Sequence, residues 1–161
     1  MTRIDVSKIN YKDFSYQFEL FRDPIQLQTW IDVGHNIDNT KIGIYQIKDL
    51  SNYDFIFEQF SHLKNIGICF HVLTPGNYLP NHQDKYKFYM KKFNITDVNT
   101  IERSVVFLEN SQPGHLLTVN DRVYSSWSAG EIVSWYGETP HSAINLGITP
   151  RYTMQITGIL K

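Results

Sequence analysis

The chain has 161 residues, enough for one domain to bury a core without disulfides or a structural metal. Fifteen basic and sixteen acidic side chains nearly cancel, at net −1 with histidines neutral, so no basic surplus points to nucleic acid or an anionic membrane. The single cysteine, Cys69, excludes an internal disulfide; with no apolar run of membrane-spanning length and no signal-peptide pattern over residues 1–20, a soluble cytoplasmic protein is expected.

Pro24 suits the first turn of a helix over residues 25–33 that ends near Gly34. Residues 41–47 alternate and predict a strand. Ser51 or Asn52 is the expected cap of a second helix, in which Ile56, Phe60 and Leu63 form one apolar face. After Asn65 the texture changes. A strand is predicted over 66–74, ended by Pro75-Gly76, and further short strands over 104–108, 116–119, 122–127, 131–135, 141–145 and 152–157. Turn signals such as Gln112-Pro113-Gly114, Asn120-Asp121 and Ala129-Gly130 separate them. This spacing predicts a mainly β chain: N-terminal helices, then an antiparallel jelly roll. With no repeat or linker, residues 1–161 read as one domain, with a helical and strand support over 1–65 and a β core over 66–161. Residues 85–100 lack a clear period. They read as a long loop or short helix over the barrel mouth, either a recognition lid or a solvated amphipathic segment.

The chemistry starts at His82-Gln83-Asp84. In an extended segment, residues two apart point to the same side, so an imidazole and a carboxylate converge. His141 lies in another predicted strand. Two histidines and one carboxylate are the ligand set that leaves open positions on Fe(II), whereas a structural zinc closes its fourth position. Arg151 follows across a turn, on an adjacent strand expected deeper in the same barrel, where a guanidinium grips a carboxylate through two parallel hydrogen bonds. Thr153 shares its face; Gln155 and Thr157 continue this polar side, while Tyr152, Met154 and Ile156 form the apolar side. An inward polar row needs a ligand or water to satisfy it.

These segments, Pro80-Asn81-His82-Gln83-Asp84, Pro140-His141-Ser142 and Arg151-Tyr152-Thr153, resemble the 2-oxoglutarate/Fe(II)-dependent dioxygenase superfamily, nearest in flavour to its prolyl- and aspartyl/asparaginyl-hydroxylase-like members. The resemblance covers residues 66–158. It implies a double-stranded β-helix, an iron held by His82, Asp84 and His141, and 2-oxoglutarate whose distal carboxylate meets Arg151 and Thr153. It further implies hydroxylation of a C–H bond of an amino-acid side chain, free or in a protein, or of another small molecule, with O2 as co-substrate, succinate and CO2 as co-products and ascorbate as reductant in vitro. With Asp84 present, hydroxylation is expected rather than halogenation. No nucleic-acid or membrane partner is expected.

Other residues carry weaker signals. Arg103 is a candidate for the proximal carboxylate or an acidic substrate. Tyr78 and Tyr86 flank the His-x-Asp segment, and their hydroxyls are set against a packing role. Asn145 shares the face of His141 by parity and either approaches the metal or ladders its strand. His115 reads as a hydrogen-bonded structural histidine, Trp127 and Trp135 as core or rim aromatics, and Cys69 as an inert core thiol; His35, His62 and His71 receive no role. Two competing functions stand beside the oxygenase: a cupin-type Zn or Mn hydrolase or isomerase using the same three ligands, and a non-catalytic jelly-roll binding domain.

Overall fold

A computed structural model describes residues 2–161. Its strands, in chain order, are β1 Gln17–Glu19, β2 Ile42–Gln46, β3 Leu63–Leu73, β4 Tyr78–His82, β5 Ile101–Phe107, β6 His115–Val119, β7 Arg122–Tyr124, β8 Ile132–Tyr136, β9 His141–Asn145 and β10 Arg151–Leu160. Three α-helices join them: α1 Pro24–Asp32, α2 Asp54–Gln59 and α3 Lys87–Phe93. The strands form two antiparallel sheets, β1-β2-β3-β10-β5-β8 and β4-β9-β6-β7, facing each other as a jelly roll, with α1 and α2 before β3 and α3 between β4 and β5. The mainly β architecture is as the turn spacing predicts.

Alternation along β10 builds both faces of the larger sheet. Met154 and Ile156 point outward with Phe70 and Ile68 of β3, and their solvent side is closed by Ile4, Val6 and Ile9 and by Ile56, Phe60 and Leu63 of the α2 region. The three residues expected on the apolar face of the second helix do share this cluster, but only Ile56 lies in the helix: α2 ends at Gln59, Phe60 follows it and Leu63 opens β3. Neither Ser51 nor Asn52 caps the helix. The Ser51 N–H is held by Asp49 Oδ1 at 3.0 Å in a separate turn, and α2 opens after Tyr53 without a side-chain cap. Helix α1 starts as expected, with Pro24 in its first turn and the Asp23 carboxylate accepting from the N–H groups of Ile25 and Gln26.

Between the sheets the core is divided. Val105, Phe107, Val133 and Trp135 of the large sheet form one cluster with Leu117, Val119 and Trp127, running along β5 from the Trp135 register to Phe107, which stacks on Trp127 at 4.0 Å. Trp30, Ile42, Leu73 and Leu79 close another corner. Several predicted boundaries move. The supposed division at 65/66 falls inside β3, and β1 and β2 extend the same sheet. Only Arg122–Tyr124 of the 122–127 strand pairs with β6, because the chain then turns inward and the Trp127 N–H donates to Ser111 Oγ at 3.1 Å. Gly130 adopts φ +86, and a Cβ there would lie 2.1 Å from the Ile4 carbonyl, so the Ala129-Gly130 turn also admits the N-terminal segment.

Candidate metal centre and anion pocket

Strands β4 and β9 bring His82 and His141 opposite each other as direct cross-strand partners. β4 ends at His82, so Asp84 reaches the same point from the irregular segment that follows rather than from the strand. One ligating atom from each of His82, Asp84 and His141 can be chosen so that all three lie within 4.8 Å of one another. Both imidazoles are oriented from behind. His82 Nδ1–H donates to the Pro80 carbonyl at 2.7 Å, and His141 Nδ1–H to the Thr139 carbonyl at 2.9 Å. Each backbone acceptor fixes the tautomer that leaves Nε2 with a free lone pair, as a metal ligand requires. Burial pushes both imidazoles below their usual acidity range, His141 to about 4, so they are neutral at pH 7. Asp84 is held below the usual carboxylate range: burial opposes ionisation, but the Arg103 guanidinium 3.0 Å from Oδ2 and the two imidazoles outweigh it. Two neutral nitrogens and one carboxylate with room around them fit a divalent transition metal.

The triad opens into a cavity of about 990 Å³ between the sheets. The inward side of β10 supplies Arg151, Thr153, Gln155 and Thr157 to its wall, the polar row expected from parity. One expectation is corrected. Arg151 is not on a strand beside β9 in the same sheet; β9 belongs to the four-stranded sheet and β10 to the six-stranded one, so Arg151 faces the histidine strands across the barrel. Its side chain is buried under Phe107 and Trp127, with Cζ 5.8 and 5.4 Å from their ring centroids. Its Nε and Nη2 have no hydrogen-bond partner among the described residues. No carboxylate pairs with it there, and burial alone drags its pKa down to about 10, still charged at neutral pH. A buried, unpartnered guanidinium is costly unless an anion joins it.

The other proposed residues separate. Arg103 lines the cavity, bridging Asp84 through Nη2 and Gln155 through Nη1. Tyr86 lines it as well. Asn145 does not: its Nδ2 donates to the carbonyls of Leu73 (2.7 Å) and Thr149 (2.9 Å) and its Oδ1 accepts from Gly147 N, so it is engaged in closing the turn that carries the chain across to β10. Tyr78 is also turned away, hydrogen-bonded to His35 Nδ1 at 3.2 Å. His115 is structural, bound to Gln112 N and the Thr149 carbonyl. Cys69 is a protonated thiol, raised to about 11 by burial, on the cavity wall rather than in the core. Helix α3 roofs the mouth, tied to the large sheet by the Tyr89 hydroxyl donating to Asn65 O at 2.8 Å.

One cavity residue had no motif to announce it. His71 stands on β3 directly opposite Thr153 and Ile44, lines the cavity, and makes no hydrogen bond through either ring nitrogen among the described residues. Burial, with Arg103 and Arg151 nearby, keeps it neutral, at about 3. The available signal was parity: His71 and Cys69 interrupt an apolar strand two residues apart, which places both on one face.

No protein-family model matches the chain, and no curated protein matches it. Solved structures do. A cupin-2 domain from Rhodospirillum rubrum aligns over 89% of this chain and 69% of its own, with TM-score 0.50 and 6% identity. A protein from Thermotoga maritima described as a predicted oxalate decarboxylase aligns over 74% and 82%, at 0.47 and 12%. The cupin domain of Schizosaccharomyces pombe Cnp3 aligns over 79% and 74%, at 0.46 and 9%. At these identities the likeness is one of fold, and the Rhodospirillum domain identifies that fold as the cupin type of jelly roll.

Proposed function

We propose that the protein is an Fe(II)- and 2-oxoglutarate-dependent dioxygenase that hydroxylates a C–H bond, with the balance RH + 2-oxoglutarate + O2 giving ROH + succinate + CO2. The observation that carries this reading is the pairing, in one cavity, of a three-ligand metal centre with a buried guanidinium that lacks an anion. When bound, Fe(II) would supply the redox centre at which O2 is reduced while the 2-oxo acid is decarboxylated. His82 and His141 hold the ion through Nε2, fixed by the carbonyls behind them, and Asp84 adds the charge. Arg151 and Thr153 receive the distal carboxylate, and the aromatic pair under Arg151 keeps water from competing for it. Leu79, Leu117, Ala143 and Val105 add apolar surface to the wall.

Succinate formation from 2-oxoglutarate, with Fe(II) and ascorbate, tests the proposal. Activity should vanish in His82→Ala and Asp84→Ala, whereas Arg151→Ala should chiefly raise the 2-oxoglutarate KM. Hydrolase or isomerase activity with Zn or Mn, and no succinate with iron, would favour the other reading of the same three ligands.

A further inference from the structure

Five buried side-chain polar atoms lack a hydrogen-bond partner among the described residues: Tyr86 Oη, Arg103 Nε, Trp135 Nε1, and Arg151 Nε and Nη2. All belong to residues on the wall of the one cavity. They form two groups. Arg103 and Trp135 are direct cross-strand partners on β5 and β8, and the Tyr86 ring lies over the Arg103 guanidinium at 5.2 Å. Burial raises the Tyr86 pKa, but its hydroxyl is close enough to the Arg103 and Trp135 N–H groups for both to oppose that rise, without reaching hydrogen-bond geometry to either. Arg151 stands apart. Arg151 and Thr157, the β10 partner of Arg103, are six residues apart, about 20 Å of backbone at ~3.3 Å per residue, and the Arg103 side chain reaches back along that span to Gln155 and Asp84. The metal ligand Asp84 contacts the Arg103 group. The cavity therefore has two donor-rich ends, and Arg151 serves only one.

Charge sharpens the asymmetry. On the cavity wall Arg22 pairs with Glu19, Lys85 with Glu138 and Arg103 with Asp84, while Asp23 is engaged in capping α1. Lys87 and Lys92, both on α3 at the Arg103 end, have no carboxylate partner among the described residues. Binding of a divalent ion at Asp84 would add positive charge and draw on the carboxylate that now neutralises Arg103. Tyr86 is also the one residue other than asparagine among the non-glycines with positive φ (+49), a conformation that a bulky residue adopts only when its surroundings hold it there.

We infer that the α3 end of the cavity is a second anion site, which takes the carboxylate of an acidic substrate on the N–H and O–H groups of Arg103, Trp135 and Tyr86. Lys87 and Lys92 raise the local concentration of that substrate and steer it under the roof. Three single donors with one guanidinium charge match the two oxygens of a carboxylate better than the three of a phosphate, which needs more charge. The inference deepens the dioxygenase reading and rests on it for the placement of 2-oxoglutarate at Arg151.

The three tryptophans give three indole N–H resonances, assignable through Trp30→Phe, Trp127→Phe and Trp135→Phe; Trp127 reports the Arg151 end, and Trp135 reports the Arg103 end together with the metal ligand His141, whose ring is 4.6 Å away. The protein loaded with Zn(II) is titrated first with 2-oxoglutarate, then with straight-chain mono- and dicarboxylates of three to eight carbons and their primary amides. 2-Oxoglutarate should move Trp127, whose ring lies against Arg151. In the 2-oxoglutarate complex at least one acid should move Trp135 downfield and bind at least tenfold tighter than its amide. In Lys87→Ser/Lys92→Ser that affinity should fall at least threefold and lose most of its salt dependence, with 2-oxoglutarate affinity unchanged. If no acid outcompetes its amide at Trp135, or saturating 2-oxoglutarate blocks every acid there, the second site is refuted and the dioxygenase reading stands. If 2-oxoglutarate does not bind at all, it is the dioxygenase reading that fails.

Discussion

Arg151 shows how one side chain can be arranged against its own stability. Its charge is buried, the rings of Phe107 and Trp127 lie against it, and two of its nitrogens have no hydrogen-bond partner among the described residues. Cation–π contacts return about 0.5–2 kcal/mol, less than the desolvation of a guanidinium costs. A structural arginine would carry a carboxylate partner; a ligand-binding one waits for its anion. The two roles predict opposite results for Arg151→Met, which keeps the volume and removes the charge. The ligand-free protein should become more stable to urea by about 1–3 kcal/mol, while affinity for 2-oxoglutarate falls by about 100-fold. Lower stability in the variant would mark Arg151 as a structural residue. His71 makes a complementary case. It is a neutral, unbonded imidazole beside Thr153, so His71→Phe should weaken 2-oxoglutarate binding by about 3- to 10-fold, the size of one lost hydrogen bond. Calorimetric titration of the metal-loaded proteins measures both.

At the level of elements, α3 is the roof and its hold is slight. Seven residues are too few to be helical alone in water, so its order depends on contacts such as the Tyr89 hydroxyl bond to Asn65 O. Tyr89→Phe removes that bond, worth about 0.5–1.5 kcal/mol. Amide exchange over residues 87–93 should therefore quicken by about 3- to 10-fold, while the β3–β10 pairing stays protected. Unchanged exchange would show that the roof is held elsewhere. This segment also marks where the sequence stopped being legible. Strands with strict alternation, β9 and β10 above all, were readable because parity alone fixes which side chains share a face, and that placed Arg151, Thr153, Gln155 and Thr157 together. Parity does not name the partner strand. The chain passes from β9 to β10 through a short turn as a hairpin would, yet the two strands enter different sheets, and nothing local in residues 146–150 distinguishes these outcomes. Asn145 misled for the same reason: on the right face by parity, it closes the turn with its amide instead of facing the metal ligands. His71 was missed because a lone histidine in an apolar strand acquires meaning only from the residues the fold sets across from it.

For the whole molecule, filling a narrow cavity with neutral histidines ties stability to pH. His71 and His141 have folded pKa values of about 3 and about 4, both below the roughly 6.5 of an unfolded histidine. The unfolded chain therefore binds more protons than the folded one at mildly acid pH, and stability must rise with pH there. The contribution is fully present above about pH 6.5 and is lost as pH falls toward the folded values. Between pH 7 and 5 each imidazole gives up about 2 kcal/mol, and the pair about 4 kcal/mol, out of the 5–15 kcal/mol typical of a domain. Urea unfolding of the metal-free protein at pH 7, 6 and 5 should show that decline, and His71→Phe should remove about half of it, because a phenyl ring has no proton to take up. Loading the metal should raise stability throughout without steepening the decline, because the ligand imidazoles are already neutral in the metal-free fold and the ion has few protons to displace. A stability profile that stays flat from pH 7 to 5 in the metal-free protein would mean that these imidazoles are solvated, and that the cavity is wetter and more open than its walls imply.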